Sequence, residues 1–205
     1  MSTLSLFPTL IYNAPLKKTG WRTLNAKLLR ESLQLRQDDG AGRHWSKQNY
    51  PGGYTSYNSV SRMHEVSPTC AMLARELDRH VRKFANALEL DTQSRPLTIT
   101  DCWVNIMPHQ VVHGLHLHPL STISGTYYVQ TPKGSSGIKF EDPRLDRMMA
   151  APPRRSDARP KHRPWYVVQA EAGTVVLFES WLRHEVAPNP VKSERISISF
   201  NYSWF

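Results

Sequence analysis

The sequence predicts an α+β fold in which helices pack outside a two-sheet jelly roll. The first half carries two amphipathic helical patterns, and the chain from Leu97 onward is a series of short segments rich in β-branched and aromatic residues. Helices that precede a run of strands favour antiparallel sheets over a parallel βαβ arrangement. With 205 residues, of which 40% are hydrophobic, the chain is long enough to form one domain with its own core. We therefore expect a single domain over 1–205, with the jelly-roll core in 97–205.

The N-terminal part, residues 1–96, is predicted to supply one strand and the supporting helices. The pattern LSLFPTLIY over residues 4–12 is a short strand interrupted by Pro8. The second helix has Ser67 as its N-cap and Pro68 at its first position, both typical of a helix start. Residues 42–60 are rich in glycine, aromatic and amide side chains without a period, which predicts an ordered loop that covers another part of the molecule. The first helix carries one apolar stripe, formed by Trp21, Leu24, Leu28 and Leu35.

The second half is predicted to contain five strand segments and one long basic insertion. Residues 144–163 are rich in proline and carry seven basic and two acidic side chains, a net charge of +5 out of +9 for the whole chain. Such an excess favours an anionic partner, either nucleic acid, an acidic protein or a charged small substrate. The insertion is either a solvated surface segment or a lid that attracts an acidic substrate. The predicted strands are 97–107, 121–132, 136–143, 165–179 and 194–204.

Several functional classes find no support in the sequence. The chain has no apolar run long enough for a membrane span, and its start lacks the pattern of a secretory signal. Its two cysteines, Cys70 and Cys102, are too few for a disulfide scaffold and lack the spacing of a zinc motif, which fits a reducing compartment. We therefore expect a cytoplasmic protein. The motifs of serine hydrolases and of nucleotide-binding loops are absent from the sequence.

Histidines point to a metal site. Four of the nine histidines lie between His109 and His118, and side chains two apart on a strand share one face, so His116 and His118 can present their imidazoles to one ion. His184 follows an apolar strand 66 residues later, where a jelly roll can return it to the pair. Three neutral imidazoles suit Fe(II), Cu(II) or Zn(II). The alternative is a surface or hydrogen-bonded histidine pair without a metal.

The last strand carries a candidate anion site. Its polar residues alternate with Ile196, Ile198 and Phe200, so one face is apolar and the other holds a guanidinium and hydroxyls. Such a face inside a sheet suggests that Arg195 binds the carboxylate of a ligand through paired hydrogen bonds. The alternative is an exposed strand face on which Arg195 pairs with Glu194. The polar residues are Arg195, Ser197, Ser199 and Asn201.

Five motifs in this order resemble a known family, the 2-oxoglutarate and Fe(II)-dependent oxygenases. They are HxHP at 116–119, SGxYY at 124–128, FxDPR at 140–144, GxxxxFxSWxxHxVxPN at 173–189 and ERxSxSFN at 194–201. The resemblance covers about residues 97–205 and implies a cupin-like double-stranded β-helix that holds Fe(II), with 2-oxoglutarate as co-substrate in a hydroxylation. It also implies the site residues: His116, His118 and His184 as metal ligands, Arg195 for the far carboxylate of 2-oxoglutarate, and Ser197, Asn105 and Tyr128 for supporting hydrogen bonds.

The sequence departs from the wider superfamily at one ligand. That superfamily has HxD or HxE before the distal histidine, whereas this chain has His118 at the position of the carboxylate. A third imidazole leaves an Fe(II) site one negative charge short, which changes its redox properties and its affinity for anions. His113 is not among the expected metal ligands, and we expect it to contact those ligands without binding the metal itself. Side chains alternate between the two faces of a strand, so only one of Tyr127 and Tyr128 faces the site, and the sequence leaves open which one.

Three hypotheses for the function follow. The leading one is a 2-oxoglutarate and Fe(II)-dependent oxygenase acting on an unidentified small molecule or protein, with an acidic one favoured by the charge. The second is a three-histidine, cupin-like dioxygenase that binds its substrate directly to iron without 2-oxoglutarate. The third is a non-enzymatic basic jelly roll that binds a metal or an anion. A nucleic acid stays a candidate partner, either as the substrate under the first hypothesis or as a bound polyanion under the third.

Overall fold

Two antiparallel sheets form the body of the molecule in the computed structural model, which describes residues 2–205. The ten strands are β1 Tyr12–Pro15, β2 Tyr54–Thr55, β3 Thr98–Met107, β4 His113–His116, β5 Ile123–Gln130, β6 Ile138–Glu141, β7 Trp165–Val168, β8 Thr174–Glu179, β9 His184–Val186 and β10 Arg195–Ser203. The larger sheet has the order β1-β8-β5-β10-β3-β2 and the smaller one the order β4-β9-β6-β7. This two-sheet architecture with flanking helices confirms the predicted α+β jelly roll.

Four helices, α1 to α4, precede β3 in the chain. Strand β1 comes before all four, and β2 lies between α2 and α3. The side chain of Ser67 accepts a hydrogen bond from the backbone N–H of Cys70 at 3.0 Å, and Pro68 occupies the first turn, so the predicted start of the longest helix is confirmed. Two short 3-10 helices lie in the basic insertion, at Leu145–Arg147 and Pro160–His162. The helices are α1 Trp21–Asp38, α2 Gly40–Asn49, α3 Met63–Val66 and α4 Pro68–Ala87.

Hydrophobic side chains form two main clusters, one on each face of the larger sheet. On the helical face, Leu28 of α1 and Phe84 of α4 belong to the same cluster as Ile198 of β10. On the opposite face, Phe178 of β8 packs with Phe140 of β6, with 5.1 Å between the ring centroids. The polar face of β10 is thereby turned toward the smaller sheet, which is where the sequence alternation predicts a ligand.

Three predicted elements differ from the observed ones. Residues 42–60 are not all loop, because α2 and β2 occupy part of them, and α2 begins where the Asp39 side chain accepts the backbone N–H of Gly42 at 2.7 Å. The N-terminal strand starts only at Tyr12, where pairing with β8 begins, since residues 2–9 are exposed and Leu10 and Ile11 pack against the core without pairing in the sheet. The segment 165–179 is two strands, β7 and β8, because Gly173 turns the chain with φ +86°.

The basic insertion joins β6 to β7 at the edge of the smaller sheet. Its charges make local ion pairs at the surface, such as Arg147 with Asp146 at 3.9 Å and Arg155 with Asp157 at 3.1 Å. Exposed pairs of this kind contribute little to stability. Over residues 2–205, the helices are too short or too polar for any of them to cross a lipid bilayer.

Candidate metal and 2-oxoglutarate site

Three histidines converge between the two sheets. His116, His118 and His184 each offer a ring nitrogen, and these three atoms lie within 4.8 Å of one another. His116 at the end of β4 is the direct cross-strand partner of His184 at the start of β9. The expectation that His116 and His118 share a strand face is wrong, because β4 ends at His116. His118 reaches the cluster from the following loop, where its backbone N–H donates to the carbonyl of Ser180 at 2.9 Å.

Hydrogen bonds fix which nitrogen of each ring is free. The Nδ1 of His116 lies 2.7 Å from the carbonyl oxygen of Gly114, and the Nδ1 of His184 lies 2.9 Å from that of Leu182. A carbonyl oxygen only accepts, so both Nδ1 atoms carry the proton. The Nε2 atoms of these two rings therefore keep their lone pairs and are available to a cation.

The tautomer of His118 is set by a carboxylate two hydrogen bonds away. Asp101 Oδ2 accepts from Asn201 Nδ2 at 3.2 Å, and since a carboxylate only accepts, the amide must turn its Oδ1 toward His118. That Oδ1 lies 2.7 Å from His118 Nδ1 and also accepts from the hydroxyl of Ser124 at 2.8 Å. His118 therefore donates through Nδ1, which leaves its Nε2 lone pair free like those of the other two histidines.

Burial keeps these imidazoles neutral. Removal from water lowers the pKa of His184 to about 2 and that of His118 to about 4, and it also lowers the pKa of His116. Neutral imidazoles at neutral pH are the form that binds a metal. His113 stacks on His116 with 4.8 Å between ring centroids but is not a member of the converging trio. Burial lowers the pKa of His113 to about 3.

A narrow inner cavity of about 50 Å³ joins the three histidines to the polar face of β10. Arg195, Ser197 and Asn105 all line it, as the sequence predicts for residues of one site. Only 4% of Arg195 is exposed, and over residues 2–205 no carboxylate lies within ion-pair distance of its guanidinium. Glu194, the alternative partner, pairs with Arg36 at 2.6 Å instead. A buried guanidinium without a counter-ion is costly unless an anionic ligand completes the site.

Other buried polar atoms around Arg195 also lack partners. The Arg195 Nε, Asn105 Oδ1, Thr126 Oγ1 and Tyr128 hydroxyl have no hydrogen-bond partner, although Asn105 Nδ2 donates to the Ser199 hydroxyl at 3.0 Å. Buried polar groups are normally paired, so several unpaired ones beside one cavity are typical of a binding site.

Tyr128 rather than Tyr127 faces the space between the sheets, which answers the question that the sequence leaves open. Its ring lies 4.9 Å beneath the Arg195 guanidinium, but it does not line the inner cavity. Tyr127 points the other way and donates its hydroxyl to Asn25 of α1 at 2.9 Å. The structure therefore brings Tyr128 to Arg195 as a supporting aromatic face.

A larger outer cavity of about 410 Å³ lies on the other side of the histidines. It shares Trp103, His113, His116 and His118 with the inner cavity, so these side chains form a wall common to both. Its outer wall comes from α2 and the following loop and includes the aromatic side chains of Trp45, Tyr50 and Tyr57. Trp103 of β3 also lines the cavity.

The second half of the sequence matches a known family. Residues 101–201 match the family model described as "Putative 2OG-Fe(II) oxygenase". Over these residues the chain is therefore similar to the 2OG-Fe(II) oxygenases. No protein of curated function matches the sequence. The family match confirms the resemblance and the predicted co-substrate and metal, 2-oxoglutarate and Fe(II).

The fold of this oxygenase is similar to that of several solved structures. It is similar to a prolyl-4-hydroxylase from Pseudomonas putida, with a TM-score of 0.62 and 15% identity over 96% of this chain and 94% of that one. It is also similar to the α-ketoglutarate-dependent epimerase SnoN, at TM-score 0.61 and 17% identity over 96% and 77% of the two chains. A third similar structure is HygX from Streptomyces hygroscopicus with nickel and 2-oxoglutarate bound, at TM-score 0.60 and 14% identity over 96% and 83%. At these identities the similarity establishes the shared fold, a double-stranded β-helix.

Two groups of residues in the oxygenase site were missed by the sequence analysis. Asp101 reaches the site only through Asn201, its cross-strand partner, and a register of this kind has no signal in the sequence. The aromatic wall had a signal, since residues 42–60 are rich in aromatic side chains and were expected to cover another part of the molecule. What they cover is the outer cavity.

Proposed function

We propose that this oxygenase hydroxylates an organic substrate, with Fe(II) bound by His116, His118 and His184 and 2-oxoglutarate bound by Arg195. The observation that carries the proposal is the buried, unpaired guanidinium of Arg195 on the same cavity as three converging neutral imidazoles. A cation needs the lone pairs and a dicarboxylate needs the guanidinium, so the two halves of the cavity complement one metal and one diacid.

The donor set fits a hexacoordinate transition metal. Three Nε2 lone pairs from neutral rings occupy at most three positions and leave others for exogenous ligands. When bound, Fe(II) and 2-oxoglutarate supply oxygen activation, in which one atom of O2 enters the substrate as a hydroxyl and the other enters succinate as CO2 leaves. The protein's own task is to hold the ligand rings by their Nδ1 atoms and to keep the site dry.

Arg195 orients the diacid. Its guanidinium offers a fork of N–H donors that matches a carboxylate, and its position over the Tyr128 ring holds the fork in place. Ser197 and Asn105 lie on the same cavity and supply further polar contacts. Since the inner cavity is only about 50 Å³, a five-carbon diacid must extend beyond it or displace cavity side chains.

An anaerobic titration tests this proposal. We expect Fe(II) to bind the metal-free protein, and 2-oxoglutarate then to produce the visible charge-transfer band of a keto acid bound to Fe(II). His118→Ala is expected to abolish the band, whereas Arg195→Ala retains Fe(II) and needs at least about tenfold more 2-oxoglutarate, since a charge-assisted pair is lost. The exposed His109 and Arg75 provide matched controls, and His109→Ala and Arg75→Ala are expected to behave as wild type.

The titration also separates the competing hypotheses. If Fe(II) binds and no band forms at any 2-oxoglutarate concentration, the co-substrate role is wrong and the three-histidine dioxygenase takes its place. If no metal binds, the enzymatic function itself is wrong. A polyanion affinity that falls steeply with salt would then favour the binding-module hypothesis.

The cytoplasm is the proposed location. Cys70 and Cys102 are buried free thiols, which supports a reducing compartment. Fractionation of cells that express the tagged full chain tests it, with recovery in the cytosolic fraction as the expected result.

A further inference from the structure

We propose that the outer cavity binds an uncharged, ring-bearing part of the substrate between its aromatic walls. This inference rests on the proposed function, because it is the metal-binding candidates that make this cavity the substrate side. It goes beyond that function by naming the class of molecule. The net charge of the chain alone would have favoured an acidic substrate.

The chemistry of the cavity wall is the first observation. None of the fifteen residues that line the outer cavity, all within the described residues 2–205, is a lysine, arginine, aspartate or glutamate. A carboxylate, phosphate or ammonium group that enters the cavity would lose its hydration without gaining an opposite charge. The wall therefore selects against charged groups.

The aromatic side chains are the second observation. The rings of Tyr57 and Trp103 have centroids 4.9 Å apart with an angle of 60° between their planes, and Trp103 lies 5.8 Å from the His118 ring. Trp45 of α2 and Tyr50 line the same space. Aromatic walls of this kind hold a flat apolar group by stacking and edge contacts, and the volume of about 410 Å³ is within the range of ligand pockets.

The mouth of the cavity is apolar too. Val112 and Tyr57 line the cavity and are 50% and 48% exposed, so apolar surface continues from the wall to solvent. No residue of the basic insertion 144–163 lines either cavity. The positive charge of the insertion therefore lies outside both cavities and does not define what binds in the outer one.

Three probes of the same shape and different charge test the inference. They are 2-naphthalenemethanol, 2-naphthoate and 2-naphthylmethylamine, titrated into the metal-free full-length protein by calorimetry at pH 7.5. We expect the neutral alcohol to bind at least about tenfold more tightly than either ion, because only the ions pay the desolvation cost. Binding to the metal-free protein does not depend on Fe(II) or 2-oxoglutarate, so this result is independent of the charge-transfer titration.

Variants locate the binding. Trp45→Ala and Tyr57→Ala are each expected to weaken binding of the alcohol by about three- to tenfold through loss of aromatic contact. Tyr166, which is 41% exposed and lines neither cavity, provides the matched control, and Tyr166→Ala is expected to have no effect. Tyr57→Lys adds a cation to the wall and is expected to reverse the preference toward 2-naphthoate.

Several results would overturn the inference. They are equal or tighter binding of either ion, failure of all three probes to bind up to their solubility limits, and binding of the alcohol that neither Trp45→Ala nor Tyr57→Ala weakens. Replacement of Arg154, Arg155 and Arg159 by glutamine is expected to change none of the affinities. A marked loss of 2-naphthoate binding in that variant would instead assign substrate selection to the basic insertion.

Discussion

The Nδ1 of His118 donates a hydrogen bond to Oδ1 of Asn201 over 2.7 Å, and Asn201 is in turn held by the carboxylate of Asp101 at 3.2 Å. The wider superfamily places a carboxylate directly on the metal at the position of His118. In this chain the carboxylate stands two hydrogen bonds behind the imidazole. A carboxylate so placed polarises the amide and raises the basicity of the ring, which in the proposed metal site partly offsets the absence of a carboxylate ligand.

Removing this chain of hydrogen bonds is expected to weaken metal binding. Asn201→Ala frees the His118 ring to turn and should lower Co(II) or Fe(II) affinity by about 10- to 100-fold, the range typical of partners behind a ligand. Asp101→Asn keeps an acceptor for Asn201 Nδ2 but removes the charge, so a smaller loss is expected. Chelator competition measures both affinities, and the visible spectrum of bound Co(II) reports the ligand field.

Asn86, exposed on α4, is the matched control, and Asn86→Ala should leave the affinity unchanged. Thermal unfolding of the metal-free variants shows whether each remains folded. Wild-type affinity and an unaltered Co(II) spectrum in folded Asn201→Ala would contradict the role assigned to the Asn201 amide.

Arg195 is expected to have opposite effects on stability and on ligand binding. Replacing a buried ion pair with apolar side chains is often neutral or stabilising by about 1–4 kcal/mol, and a buried guanidinium without a counter-ion carries the same desolvation cost with less to offset it. Arg195→Met should therefore unfold in urea at the same or a higher concentration than wild type when no ligand is present. Added 2-oxoglutarate should raise the midpoint of wild type and have no effect on the variant, since only wild type binds the diacid.

The comparison with Arg75→Met separates burial from a general effect of removing positive charge, because Arg75 is exposed on α4. That variant should respond to 2-oxoglutarate as wild type does. A strong destabilisation of ligand-free Arg195→Met would mean that the guanidinium stabilises the fold itself, which contradicts a role only in anion binding.

The sequence alone predicts those parts of the site that follow from the spacing of side chains within one short segment. The alternation from Arg195 to Asn201 fixes which side chains of β10 face the smaller sheet, and the structure places Ile196, Ile198 and Phe200 against the helices as expected. The spacing of His116 and His118 also indicates a shared site, although the second ring arrives from a loop rather than a strand.

The remainder depends on register and on tertiary packing, which sequence patterns do not encode. Asn201 meets Asp101 on one side and Ser124 on the other because β10 lies between β3 and β5 with that particular pairing. The helix α2 was not predicted because it is short and polar. Its position depends on Asp39, whose contacts come from distant parts of the chain.

Asp39 is expected to couple the stability of α2 to pH. Its carboxylate caps α2 through the N–H of Gly42 and also accepts from the hydroxyls of Tyr54 and Ser59. Partial burial raises the pKa of Asp39, but these hydrogen bonds outweigh it and hold the pKa below its usual 3.8. Asp39→Asn should therefore lower the free energy of unfolding by about 1–2 kcal/mol at pH 7.

The sign of the pH effect follows from the lowered pKa. As pH falls, the unfolded chain binds the proton first, so the contribution of Asp39 is complete above pH 3.8 and is lost as pH falls through the folded-state value. The difference between wild type and Asp39→Asn should shrink in urea unfolding at successively lower pH. Asp38→Asn, the exposed neighbour, is the control, and a difference that stays constant down to pH 2 would exclude the ionised capping role.

Gly173 separates β7 from β8 through its left-handed backbone, and a side chain there faces two costs. Its φ is +86°, which strains any L residue, and an added Cβ would lie 2.7 Å from the Trp21 ring at the start of α1. Gly20 has φ +74°, and a Cβ added there would have nothing within 4 Å, so Gly20→Ala measures the cost of backbone strain without a collision. We expect Gly20→Ala to cost about 1–2 kcal/mol from strain and Gly173→Ala about 1–3 kcal/mol more from overpacking.

A second substitution distinguishes strain from collision. In a Trp21→Leu background the ring is gone, so Gly173→Ala should then cost about as much as Gly20→Ala, whereas the cost of Gly20→Ala itself should not change. Urea unfolding at pH 7 of the three single and two double variants measures these differences. If Gly173→Ala stayed as costly without the Trp21 ring, the turn between β7 and β8 would depend on backbone conformation alone, and the contact with α1 would contribute nothing to where the strand breaks.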